Sequence, residues 1–195
     1  EIRRQIDVLT REIENLKSSA PEKPAAVDRK GSEALGLGPA AAKVYGLNRG
    51  VSIEGYGEGL YQNFASQRQG GAPAGLKDRI DLLRAVLYFG YKFNEHLLFN
   101  SEIEYEHASS GEGAEQKGEV SVEFAYLDWH PSPYLGLRGG LLLLPVGIVN
   151  EMHEPPTFLG SRRPDTEIRI LPSTWSELGL CLYGEAGGFA YRAFA

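Results

Sequence analysis

Cysteine is nearly missing. Cys181 is the only one in 195 residues, so no intrachain disulfide can form and a disulfide-stapled scaffold is excluded. Long apolar runs are missing too. No stretch reaches the ~18 apolar residues of a transmembrane helix, and the most apolar one, GGLLLLPVGIV at 139–149, is interrupted by glycine and proline. Excess positive charge is also lacking. The net charge is −6 and no segment carries a basic stripe, which argues against nucleic acid as a partner. Glycine is abundant, at 24 residues, and 10 tyrosines outnumber 8 phenylalanines. That mixture suits strands and turns, and a hydrophobic content of 42% argues against disorder throughout.

The chain divides into three sections. In residues 1–17, EIRRQIDVLTREIENLK, the positions Ile2, Ile6, Leu9, Ile13 and Leu16 follow heptad spacing. Ile6 and Ile13 take a, and Ile2, Leu9 and Leu16 take d. This predicts a short N-terminal α-helical coiled coil; an amphipathic helix packed on its own domain is the alternative. Residues 18–49 hold Pro21, Pro24, Gly31, Gly36, Gly38 and Pro39. They read as a linker with one short extended piece at 43–45. The chain begins at Glu1, inside a periodic pattern, and ends at Ala195 without a turn signal, so the expectation is a fragment or a processed chain.

From residue 50 the period changes to two. Strands are predicted at 51–64, 80–93, 97–107, 119–130, 134–149 and 175–185, with another starting at Phe189. They exceed the roughly 5–6 residues common in soluble proteins and match the roughly 9–11 that a tilted strand needs to cross a bilayer. The connections alternate between short (94–96, 131–133, 186–188) and long (65–79, 108–118, 150–174). Sorting short turns to one end and long loops to the other is the habit of outer-membrane barrels.

Alternation gives each strand two faces. Leu83, Ala85, Leu87, Phe89, Tyr91 and Phe93 share one face of the second strand, opposite Arg84, Tyr88 and Lys92. Leu97, Phe99, Ile103 and Tyr105 oppose Asn100, Glu102, Glu104 and Glu106 on the third. Val120, Val122, Phe124 and Tyr126 oppose Glu119, Ser121 and Glu123 on the fourth, and Leu178, Leu180 and Leu182 oppose Glu177 and Cys181 on the sixth. In the fifth, Leu135, Leu137, Leu141 and Leu143 take the lipid side, while Leu142 and Leu144 take the other. Alternation alone fits a soluble barrel turned inside out as well. The aromatics favour the membrane: Phe89, Tyr91, Phe93, Trp129, Tyr134, Tyr183 and Phe189 lie by the short turns, and Tyr61, Phe64, Tyr105 and Trp175 lie toward the long loops, as two interfacial bands. On the first strand the face of Val51 and Ile53 continues as Gly55, Gly57 and Gly59. Close packing at an oligomer axis and a strand bend both account for it.

The stretches GVSIEGYGEGLYQNF, IDLLRAVLYFGYKFNEHLLFNSEIEYEHA, EVSVEFAYLDW and NEMHEPPTFLGSRRPDTEIRILPSTWSELG resemble Gram-negative outer-membrane porins, in particular the phosphate-selective porin O and P family and its relatives. The resemblance covers residues 40–195. It implies a transmembrane antiparallel β-barrel, usually of about sixteen strands, of which this chain supplies about seven, and a homotrimer. It also implies a bacterial outer-membrane location with the N-terminal helix in the periplasm, and a loop after the fifth strand that folds into the lumen. That loop, 150–174, carries the candidate constriction residues Glu151, His153, Glu154, Arg162, Arg163, Asp165, Glu167 and Arg169. Their opposed charges would narrow the pore and set a transverse field. The candidate pore-lining residues are Glu54, Glu58, Arg84, Lys92, Glu102, Glu104, Glu106, Glu119, Glu123 and Arg138. Seven carboxylates against three bases favour cations or neutral solutes over phosphate, so the family's phosphate selectivity is not expected here.

No catalytic, metal or cofactor site is expected. The histidines are scattered, and Glu102, Glu104 and Glu106 read as a wet lumen face rather than a glycosidase pair. GYGEG at 55–59 lacks the third glycine and the helix of a dinucleotide motif. The expected function is a passive outer-membrane diffusion channel for small hydrophilic solutes or ions, in contact with outer-membrane lipid. The alternatives are an envelope-tethering structural protein and a soluble all-β carbohydrate-active protein.

Overall fold

The computed structural model describes Arg11 and residues 36–107, 118–158 and 160–195. The coiled-coil prediction for 1–17 lies outside the described residues except for Arg11, as does the linker prediction for 18–35.

The fold is all-β. Seven strands form one antiparallel sheet in sequence order: β1 (Gly50–Gln62), β2 (Arg79–Lys92), β3 (Leu97–Glu106), β4 (Glu119–Ser132), β5 (Leu135–Leu143), β6 (Ser176–Ala186) and β7 (Phe189–Phe194). The sheet is open, with β1 and β7 as its edges. Turn chemistry sets the short connections. Asn94 Oδ1 accepts from the N–H groups of His96 and Leu97 at 2.9 and 3.0 Å, closing the β2–β3 turn. Gly187 and Gly188 take φ of 60° and 84° between β6 and β7, the left-handed pair that a two-residue hairpin demands.

Two register shifts correct the predicted faces. The β3–β4 ladder slips between Glu102 and Ile103, so Val120 and Val122 point outward while Phe124 and Tyr126 are buried on the inner face beside Glu102. The sequence pattern put all four on one side; a bulge inserts one extra residue and exchanges the faces beyond it. The β1–β2 ladder slips between Glu58 and Gly59. There Leu83 is buried, whereas Leu82 and Ile80 are exposed.

One face of the sheet is covered by two segments. The first is residues 36–47, which hold a 3-10 helix at Ala41–Gly46 where a linker with an extended piece was expected. Leu37, Ala41, Ala42 and Val44 pack with Val86, Tyr88, Leu98, Phe124, Tyr126, Leu142, Leu143 and Cys181 into the core. The second is the β5–β6 connection, with a 3-10 turn at Pro155–Thr157 and a short α-helix at Asp165–Arg169. Leu143, expected on the outward side, belongs to this core; the ladder of β5 with β4 has ended at Leu141. Among the described residues no helix is long and apolar enough to cross a membrane.

Candidate functional site

Beside that core, the polar side chains of the covered inner face meet in three groups. Near the short turns, Asp128 is fully buried. Its Oδ2 accepts from Tyr45 OH at 2.5 Å and from Arg138 Nε at 2.9 Å, and its Oδ1 accepts from Tyr183 OH at 2.6 Å. The Arg138 guanidinium also lies over the rings of Tyr45, Tyr126 and Tyr183, 4.6 Å from the Tyr183 centroid. Burial pushes the Tyr45 phenol well above its ordinary value, with Arg138 opposing, so Tyr45 acts as a neutral donor. A cavity of about 680 Å³ opens beside this group, lined in part by Tyr45, His96, His130, Tyr183 and Arg192.

In the middle, Glu102 accepts from Tyr88 OH at 3.1 Å and faces His153 Nε2 at 3.0 Å. The other ring nitrogen of His153 meets the Asn150 carbonyl at 2.8 Å. With acceptors on both sides, the imidazolium suits the site. Burial pulls the His153 pKa down, but the charge and hydrogen bond of Glu102 more than offset it, and the net direction is upward. Toward the long loops, Arg84 bridges Glu58 at 2.6 Å, Glu104 at 2.5 Å and Glu106 at 3.4 Å.

The candidate constriction residues therefore separate into two sets. Glu151, His153 and Glu154 reach the inner face. Glu151 pairs with Arg192, and burial raises its pKa against the pull of that arginine. Glu154 Oε1 accepts from the N–H groups of Ala40 and Ala41 at 2.9 and 3.0 Å, bonds that favour the anion and oppose the upward push of burial on its pKa. Asn150 anchors the loop base: its amide donates to the carbonyls of Leu144 and Trp175 and its oxygen accepts from Trp175 N–H. The rest of the loop divides: Arg163 lies close enough for its charge to act on Tyr56, Glu104 and His153, Glu167 is buried, and the other candidates are exposed. Arg162 is exposed, Arg163 donates to Ser173 Oγ at 2.9 Å, Glu167 accepts from Ile148 N–H at 3.2 Å, and Asp165 and Arg169 form an exposed i,i+4 pair at 4.0 Å.

The candidate lining residues are less wet than the sequence suggested. Glu102 and Glu104 are buried under the second covering segment and tied to His153 and Arg84. Lys92 is buried and donates to the Tyr45 carbonyl at 3.4 Å. Glu123 accepts from Ser121 Oγ at 2.5 Å, Glu54 pairs with Lys43 at 2.8 Å, and Glu119 is exposed. Sequence reasoning missed Tyr45, Asp128, Asn150 and Tyr183 as inner-face groups, and it placed Asn100 on the polar face without a role. The alternation of Asn100, Glu102 and Glu104 on β3 was a usable signal for the inner face, but no local pattern marks Tyr45 or Asn150 as its partners.

The chain is 57% identical over 159 residues to an uncharacterized protein of Aquifex aeolicus (strain VF5), a stretch that makes up 82% of this chain and 35% of that protein. It spans about a third of that relative's length. No family model matches the sequence, and no solved structure is similar to it.

Proposed function

We propose that this chain is part of an outer-membrane β-barrel channel for passive diffusion of small hydrophilic solutes or ions, similar to the porin O and P group. The carrying observation is the inverted character of the two faces. Leu87, Phe89, Leu127, Trp129, Leu137 and Leu180 are among the exposed outward side chains. An apolar face of this extent on a monomeric soluble protein is unusual; against lipid it is the ground state. The inner face concentrates buried charge; among the described residues each such carboxylate meets an opposite charge or a donor, and each such base an opposite charge or an acceptor, as a polar lumen under an infolded loop requires. The wide separation of short turns from long loops supports the same reading. In this reading further strands close the sheet between β7 and β1, and Glu102, His153, Arg84 and Glu104 belong to the narrow part of the pore.

The test is planar-bilayer recording of the full-length protein purified in detergent. Stepwise conductance with weak cation preference supports the channel. A protein that stays soluble and monodisperse without detergent sinks it.

A further inference from the structure

Residues 36–47 cover the inner face, as the limb 150–154 does. We infer that this segment is a second constriction element, a plug on the short-turn side of the lumen, with Glu154 as its positioning residue and Lys43 as the charge it presents to passing solutes. The inference rests on the channel reading.

Beyond its own turns, the segment is held by side chains of the sheet and of the infolded loop. Asn100 Nδ2 donates to the Ala41 carbonyl at 2.8 Å, Lys92 Nζ to the Tyr45 carbonyl, and Tyr45 OH to Asp128. The N–H groups of Ala40 and Ala41, left over at the start of the 3-10 helix, are satisfied by Glu154, 113 residues or more away. The fit is close on both sides. A Cβ at Gly38 would fall on the Glu154 carboxylate, and one at Gly90 would meet Val44. Leu37, Ala41, Ala42 and Val44 turn to the wall and are buried. Lys43, the one charged residue of 36–47, is exposed on the other side and pairs with Glu54. A segment that only led to β1 would need neither a latch onto the infolded loop nor a wall shaped to receive it. In a channel, a body seated there removes cross-section, and its exposed ammonium opposes the surrounding carboxylates in setting ion preference.

The experiment records the full-length protein and three variants in planar bilayers, with heat-modifiable gel migration to report folding. Glu154→Ala removes the acceptor of both N–H groups and should raise single-channel conductance roughly twofold. Glu154→Gln keeps an oxygen able to accept from both and should retain the parent conductance. Lys43→Glu, on the exposed side, should shift the zero-current potential in a salt gradient toward cations. If the parent conducts while Glu154→Ala and Lys43→Glu both match it, the plug is overturned and the channel stands. If the parent does not conduct, both fall. If Glu154→Ala does not fold, Lys43→Glu decides: an unchanged zero-current potential overturns the plug.

Discussion

Along β6, adjacent side chains meet opposite surroundings. Leu178, Leu180 and Leu182 are 83%, 53% and 42% exposed, while Cys181 between them is 1% exposed. On β3 the comparison runs the other way in chemistry: Glu102 and Glu104 are buried, and Tyr105 beside them is exposed. A water-soluble protein buries apolar groups because their transfer from water is favourable, and it leaves carboxylates wet because their burial is costly. Here the inner face carries buried charge, paired, beside an apolar core, and the outer face is mostly hydrocarbon. In the proposed channel the outer face meets lipid and the inner face meets its covering segments, so changes to each should fail in different ways.

The largest expected effect is at the inner face. Asp128→Ala removes the carboxylate facing Arg138, Tyr45 and Tyr183, and loss of one partner from a buried charged cluster costs about 3–5 kcal/mol. Denaturant unfolding in detergent should move by that amount; a shift under about 1 kcal/mol would mean that the cluster is open to water. Next comes the outer face. Leu180→Arg should cost about 2–4 kcal/mol if that residue sits at bilayer mid-depth, read as impaired membrane assembly. An outward face bathed in water would tolerate the arginine unchanged, and the comparison between the faces would collapse.

A smaller effect is pH-dependent. The folded-state pKa of His153 is raised, so its contribution is complete below the ordinary imidazole value and is lost as pH rises through the raised value. Amide protection in 150–154, taken relative to the intrinsic exchange rate at each pH, should fall above the ordinary imidazole range, and His153→Phe should abolish that fall. Equal protection in the parent protein on both sides of that range would exclude the Glu102–His153 pair as a latch. The smallest effect is at the surface: Arg169→Ala breaks an exposed pair with Asp165 and should leave stability unchanged within error in the same unfolding assay.

Strand existence and the antiparallel order were legible because period-two alternation survives in each strand and short turns force neighbours to pair. The faces were legible only between bulges. Phe124 and Tyr126 sit in the same alternation as Val120 and Val122, and nothing local in the sequence announces the extra residue that separates them. The site was legible in part. Glu102, Glu104, His153 and Glu154 were named, but Glu102 and Glu104 as wet rather than paired groups, and Asp165 and Arg169 remain at the exposed rim. The segment 36–47 read as a linker because its glycines and alanines break every period. Its order comes from partners such as Asn100 and Glu154 that lie 59 to 114 residues away.

The sequence by itself determined the β class, the strand succession and the apolar outward stripe, since these depend on residues close together in the chain. Only the tertiary structure decided what covers the polar face and which charges meet. Those contacts join positions far apart, and a carboxylate's role as lumen wall, latch or surface group depends on which donor folding brings to it.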